Sequence, residues 1–203
     1  ALLFEGYSAK SIELAGKKAG FPVGPLAVSD EIGLEVAYKI RNENKKTLNK
    51  RIKDSIGGNW DKILDIMVNE FGRFGRVNRK GFYEYPKNSK KYLWAELEER
   101  FSSKQNNLSL KEMIDRLLFS QVIESLYCIK EGVLNSIIEA NIGSIYGWGF
   151  PSPGILEFIH RFGVKNFIKR CSYLSKIYGN RFNLPSSLRD YGNIEDLFMK
   201  NNT

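Results

Sequence analysis

Glu5-Gly6, Gly20-Phe21-Pro22 and Asp30-Glu31-Ile32-Gly33-Leu34 recur in order as Glu131-Gly132, Gly149-Phe150-Pro151 and His160-Arg161-Phe162-Gly163-Val164. Self-similarity at a long, nearly fixed offset means that one supersecondary unit is used twice, so the chain reads as a pair. Each copy carries a helical stretch between its Glu-Gly and its Gly-Phe-Pro. In the first, Ser8 is an N-cap for a helix over about 9–18, and Gly20 stops it. Phe21 precedes a proline and is pushed toward extended geometry. Pro25 suits the first turn of the next helix, where its missing N–H costs nothing. Gly20 to Pro25 is therefore a rigid corner between two helices.

The second helix is expected from Leu26 to about Asn44, and another over Trp60 to Glu70, where Ile63, Leu64, Met67 and Phe71 share a face. Arg73 to Tyr85 reads as irregular or extended. Residues 86–108 read as a polar connector with a short helix around Tyr92 to Phe101. Ser109-x-x-Glu112 is a capping box that opens a long amphipathic helix to Glu131. Helices over Ser136–Tyr146, about 154–161 and 165–178 complete the second copy. Strand-like alternation is almost absent, so the fold class expected is all-α.

With 203 residues, 42% of them apolar and 27% charged, the chain has the composition of a soluble globular protein. No stretch approaches the eighteen or so apolar residues of a membrane span, and no signal peptide is visible at the start. Cys128 and Cys171 lie in apolar helical patterns without metal-like spacing and read as buried thiols in a reducing compartment. The net charge of +8 raises nucleic-acid binding. Cations gather at Lys39, Arg41, Lys45, Lys46, Lys50, Arg51 and Lys53, and again from Arg73 to Lys91, but no nucleic-acid motif accompanies them. A solvated basic face is the favoured reading, and a phosphate-bearing small ligand the second.

Catalytic chemistry is hard to assemble. The one histidine, His160, takes the place of Asp30 in the repeat and reads as structural, with no orienting partner in sequence. Gly147-x-Gly149 starts a dinucleotide fingerprint, but Ser152 stands where the third glycine belongs, and the segment follows a helix rather than a strand. Asp30-Glu31 and Glu98-Glu99 read as solvated helix charge. Trp148, Phe150, Phe158 and Phe162 read as core. Tyr146 lies where a helix ends at a glycine corner; its hydroxyl can meet a ligand or cap a backbone group, and the residues alone favour a structural role.

Together these phrases resemble one family. Gly20-Phe21-Pro22-Val23-Gly24-Pro25-Leu26 with Asp30 to Leu34 resembles the C-terminal domain of 3-hydroxyacyl-CoA dehydrogenases. Gly72-Arg73-Phe74-Gly75-Arg76 running into Lys80-Gly81-Phe82-Tyr83-Glu84-Tyr85 is similar to that family's Gly-Arg-Lys…Gly-Phe-Tyr segment. Ile145-Tyr146-Gly147-Trp148-Gly149-Phe150-Pro151 resembles the second copy of the domain in multifunctional fatty-acid oxidation enzymes. The resemblance covers roughly residues 1–190. It implies a first helical copy over 1–85, the connector 86–108, a second copy over 109–190 and a tail, 191–203, with the two copies related by a pseudo-two-fold.

The resemblance implies an NAD-dependent oxidation of 3-hydroxyacyl-CoA to 3-ketoacyl-CoA in β-oxidation, in a parent that can also carry an enoyl-CoA hydratase. It assigns NAD, and the catalytic His–Glu pair and serine, to an upstream Rossmann domain that is not among these residues; a substrate-assisting Asn-Arg motif would fall before Ala1. The chain alone is therefore expected to bind no cofactor or metal and not to catalyse. Tyr146 is the one position carried over, as an acyl-CoA contact. After Pro151 the sequence departs from the family, with Ser152-Pro153-Gly154 in a shorter connection and His160 further on. A monomer is expected, without nucleic acid or a membrane span, in the cytoplasm, or in the peroxisome or mitochondrion of a eukaryote. The runner-up is a non-catalytic helical binding or dimerisation module of the same fold.

Overall fold

A computed structural model describes residues 1–47, 59–101 and 109–188, together with 192, 194 and 196. They fall into two compact units, Ala1–Lys18 with Val23–Met113, and Ala19–Pro22 with Ile114–Thr203.

In the first unit Ser8 opens helix α1 (Ala9–Ala19), its hydroxyl accepting the Ser11 N–H at 3.1 Å. Ala9, Ile12, Ala15 and Gly16 turn inward. A Cβ on Gly16 would lie 2.4 Å from Pro25 Cδ, so only glycine lets the corner approach the helix this closely. Pro25 stands in the first turn of α2 (Pro25–Ile32), as its fixed φ favours. The expected single helix from Leu26 to Asn44 is broken: Gly33 adopts φ +98° and the chain restarts as α3 (Leu34–Thr47), with the Leu34 N–H donating to Phe74 O at 2.9 Å. A glycine inside a helical pattern leaves this left-handed option open, and the bond to Phe74 stabilises it.

Helix α4 (Asn59–Asp65) runs into a π-helical turn, Ile66–Glu70, so the expected helix over 60–70 is present but loosened in its second half. Arg41 pins α3 to α4, donating from Nη1 to Asp61 O at 2.7 Å and pairing through Nη2 with Asp65 at 2.6 Å. This cation of the first basic cluster is buried, not part of a solvated face; Lys50, Arg51 and Lys53 lie outside the described residues.

The chain is mostly helical, but the reading as wholly α is corrected by one antiparallel pair, β1 (Tyr83–Glu84) with β2 (Tyr92–Leu93). Two-residue strands are too short to leave an alternating pattern. Buried Arg73 organises the approach to them. Its Nε donates to Gly81 O at 2.6 Å, its Nη2 pairs with Glu84 at 2.8 Å, and its guanidinium lies 4.1 Å from the Trp94 ring centroid. The short helix expected in the connector is α5 (Glu96–Phe101), preceded by β2, and Trp94 and Leu97 are buried.

Ser109 caps α6 (Leu110–Lys130), whose residues from Ile114 on belong to the second unit, accepting the Glu112 N–H at 3.2 Å as the capping box predicts. Helices α7 (Ile137–Trp148), α8 (Glu157–Phe162) and α9 (Val164–Tyr178) follow. The core gathers Phe119, Val122 and Leu126 of α6 with Ile155, Ile159, Phe167 and Leu174. Phe119 stacks on Phe167 at 5.0 Å and meets Phe158 and Phe162 edge-on. Buried Ile194, in the expected tail, joins this core. Phe150, Phe158 and Phe162 are core as expected; Trp148 is not. It is 52% exposed and donates from Nε1 to Gln121 Oε1 at 3.0 Å. Cys171 is buried, which pushes its thiol above the ordinary range, and no disulfide joins it to half-buried Cys128.

Residues 19–22 pack here on the second Gly-Phe-Pro. Phe21 meets Phe150 edge-on at 6.0 Å, a Cβ on Gly20 would lie 3.1 Å from Pro151, and one on Gly149 would lie 2.7 Å from Pro22. The two glycines keep these elbows in van der Waals contact.

Candidate functional site

Helix α7 carries the one site residue expected from sequence. Ser136 caps it, accepting the Glu139 N–H at 3.1 Å, and the Glu139 carboxylate returns to the Asn135 N–H at 3.2 Å. Ile137, Ala140 and Ser144 face inward. Asn141 Oδ1 accepts the Leu156 and Glu157 N–H groups at 2.8 and 3.1 Å, and Ser144 Oγ accepts the Ile155 N–H at 3.1 Å, so the polar inner face caps α8.

The opposite face is apolar and open. Ile138, Ile142 and Tyr146, four residues apart and so in one stripe, are 61%, 54% and 86% exposed. Cβ atoms on Gly143 and Gly147 would meet nothing within 4 Å, so the helix backbone beside Tyr146 is bare. Gly149, at φ +72°, ends the helix with its N–H on Ile145 O. The Tyr146 ring thus projects outward, and among the described residues its hydroxyl has no hydrogen-bond partner. Among those residues it caps no backbone group either. An exposed aliphatic stripe ending in a phenol can take an apolar chain along its length and give or accept one hydrogen bond at its end. The first unit also shows aliphatic side chains, Val28 and Ile32 of α2 and Val36 and Ile40 of α3, at 41–65% exposure.

A second polar constellation went unread in the sequence. Asp30 is 1% exposed, not solvated: Oδ1 accepts the Phe82 N–H at 2.8 Å, and Oδ2 accepts the Tyr83 N–H at 2.8 Å and the Tyr85 hydroxyl at 3.1 Å. Burial raises its carboxyl above the ordinary value, against the pull of those donors and the Arg73 charge. Glu13, also buried, accepts Leu26 N–H at 2.6 Å and Ala27 N–H at 3.3 Å on Oε1 and the Tyr83 hydroxyl at 2.8 Å on Oε2. Burial, with the adjacent carboxylates, pushes both phenols well above 10. Each of the four carboxylate oxygens accepts at least one fold contact, so this cluster staples α1 and α2 to β1. No local signal betrays it, because the contacts of Asp30 and Glu13 with the Phe82–Tyr85 segment span more than fifty residues.

His160 is exposed and pairs with Glu157 at 3.2 Å, so it does not reproduce Asp30's buried role. Among the described residues no group of three or more His, Cys, Asp or Glu could hold a metal ion, and no helix is long and apolar enough to cross a membrane. Glu31 pairs with Arg76 at 2.6 Å. The described residues do not fit a dinucleotide either: Gly147 and Gly149 close a helix, and the turn from β2 into α5, Trp94-Ala95, holds no glycine to let a pyrophosphate approach the backbone.

Residues 1–85 match the family model described as 3-hydroxyacyl-CoA dehydrogenase, C-terminal domain. The chain is 33% identical over 187 residues to the fatty acid oxidation complex subunit alpha of Shewanella baltica (strain OS185), and 34% identical over 189 residues to that of Shewanella putrefaciens. Both alignments cover 89% of the chain, which spans about a quarter (25%) of the length of these relatives. In fold, it is similar to the dehydrogenase part of multifunctional enzyme 1 from C. elegans, with a TM-score of 0.68, 22% identity and 97% of this chain and 44% of that one covered. A 3-hydroxybutyryl-CoA dehydrogenase from Escherichia coli K12 gives a TM-score of 0.64 at 16% identity, with 97% and 56% covered. Residues 1–85 thus match the C-terminal domain of the 3-hydroxyacyl-CoA dehydrogenases, and the chain is homologous to the alpha subunits of fatty acid oxidation complexes.

Proposed function

We propose that this chain is the C-terminal helical region of an NAD-dependent 3-hydroxyacyl-CoA dehydrogenase of β-oxidation, supplying one wall of the acyl-CoA cleft and packing surface for the domain that binds NAD. The observation that carries the reading is the outward stripe of α7, in which Ile138, Ile142 and an 86% exposed Tyr146 stand beside bare helix backbone. Solvent contact of this much aliphatic surface is unfavourable unless something covers it. The aliphatic residues take the acyl chain or the apolar part of the thioester arm, and the Tyr146 hydroxyl bonds to a polar atom of the same ligand. Hydride transfer requires nicotinamide and substrate in fixed apposition, and the residues here supply only the substrate side.

The tandem reading belongs to this proposal. It is supported by paired local geometry: Gly6, Gly20 and Gly33 have positive φ, as do Gly132, Gly149 and Gly163. It is supported too by Glu13 and Asn141, each taking two N–H groups at the start of the helix after its own corner.

The test is calorimetric titration of the chain with a 3-ketoacyl-CoA, comparing Tyr146→Phe. Loss of one hydrogen bond of about 0.5–1.5 kcal/mol weakens binding roughly two- to tenfold. Equal affinity removes the hydroxyl from the site, and NADH formed from a 3-hydroxyacyl-CoA and NAD by this chain alone refutes the division of labour.

A further inference from the structure

The second run of cations has a shape that a solvated face does not need. Arg76, Arg79, Lys87 and Lys91, with Ser89 and the Tyr85-Pro86 turn, line a cavity of about 330 Å³ in the first unit. We propose that this cavity is a binding site for a small organic phosphate carrying two or more phosphate charges.

The loop that brings the cations together is held rigidly. Gly75 and Lys80 exchange backbone hydrogen bonds at 2.8 and 3.1 Å, and Asn78 Oδ1 accepts the Phe74 and Lys80 N–H groups. Between them Arg79 is the one described non-glycine residue with positive φ, at +62°. A glycine would sit there without the strain of order 1 kcal/mol that a side chain brings, so the arginine occupies this position at a cost. The Tyr85 N–H donates to the Arg79 carbonyl at 3.1 Å, which fixes this turn against the start of the 86–91 segment. Lys91 Nζ rests 5.0 and 5.7 Å from the Tyr83 and Tyr85 ring centroids, and those rings hold its charge at the cavity.

Four positive charges line the cavity. One carboxylate, Glu31, answers Arg76; Arg79 and Lys87 have no ion-pair partner among the described residues. Mutual repulsion of cations around a concavity is relieved by a polyanion. Arginine adds planar donors that match phosphate oxygens, and Ser89 adds a hydroxyl. The volume lies at the small end of the roughly 300–1,000 Å³ range of ligand pockets, which suits a nucleotide-sized molecule rather than an extended polymer. The site is independent of Tyr146, and its failure would leave the acyl-CoA reading standing.

The test uses the full chain and adenosine 3′,5′-bisphosphate, titrated by calorimetry, with CoA, dephospho-CoA and inorganic phosphate as parallel arms. Saturable 1:1 binding of the bisphosphate is expected, tighter than inorganic phosphate. It should weaken at least tenfold in Arg79→Gln/Lys87→Gln, and remain unchanged in Lys169→Gln/Lys176→Gln on α9. Lys87→Gln alone, at an exposed position, serves if the double variant unfolds and should weaken binding about threefold. CoA binding that falls in the pocket variants and exceeds that of dephospho-CoA identifies the coenzyme as the source. Binding of the bisphosphate without CoA identifies a free nucleotide. No saturable binding, equal loss in the α9 control, or tighter binding of a single-stranded oligonucleotide through the same residues would overturn the proposal.

Discussion

Replacing Asp30 by alanine should unfold the first unit at markedly lower denaturant. The substitution removes the acceptor of two backbone N–H groups and one phenol without supplying another. Phe82 is fully buried, so its N–H loses its partner where water does not reach, at about 2 kcal/mol. Tyr83 and Tyr85 are half-buried and regain part of their bonding from solvent, which adds about 0.5–1 kcal/mol each. The expected loss is about 3–4 kcal/mol, a large fraction of the stability of a small domain. Asp30→Asn keeps an acceptor oxygen but turns an NH₂ toward a donor, and should lose about half as much. Glu31→Ala is the control: its exposed pair with Arg76 contributes less than about 1 kcal/mol. Urea unfolding followed by tryptophan fluorescence reads the effect, because buried Trp94 donates its backbone N–H to Phe82 O beside the staple at 2.9 Å. If Asp30→Ala lies within 1 kcal/mol of the unaltered chain, or Glu31→Ala is as damaging, the stapling argument fails.

The same carboxyl sets a pH dependence. Burial raises Asp30 above the usual 3.8, so the folded chain holds that proton more tightly than the unfolded one; the linked stabilisation is full below about pH 3.8 and is lost as pH rises through the folded value. Urea titrations across the acid range should therefore show the gap to Asp30→Ala widest at low pH. Tyr83 and Tyr85 are held protonated in the folded state, which predicts stability lost upward from about pH 10, with absorbance at 295 nm showing their ionisation only as the unit unfolds. Gly16→Ala should destabilise by about 1 kcal/mol in thermal melts, since overlap with Pro25 (about 1–3 kcal/mol) outweighs the helix propensity gained (about 1 kcal/mol). Gly143→Ala, with open space around it, should stabilise by about 0.5–1 kcal/mol. Arg73→Lys keeps the charge but loses the planar contact with Trp94 and one of its directed bonds, and should cost about 1.5–3 kcal/mol in the same melts.

The helices were legible where glycine, proline and capping residues punctuate them. Pro25, Ser109, Ser136 and Gly149 all act at the ends their chemistry favours. Gly33 belongs to the repeat, yet the helical pattern runs straight across it, because a lone glycine in a periodic pattern does not announce its φ. Asp30 looks solvated in sequence because it stands beside Ser29 and Glu31, and the N–H groups it serves are supplied by a segment more than fifty residues away. Hydrophobicity alone points Trp148 to the core, whereas its indole N–H bonds to Gln121 at the surface. Tyr146 stands out in sequence by its place before a glycine corner. That it shares an open stripe with Ile138 and Ile142 follows only from which face of α7 the core takes.

Hydrogen–deuterium exchange of the chain with and without a saturating 3-ketoacyl-CoA tests the central claim most directly. The acyl-CoA reading predicts slowed exchange concentrated on α7 between Ile142 and Trp148, absent in Tyr146→Ala. Unchanged α7 amides in the presence of bound ligand, with protection elsewhere, would contradict it.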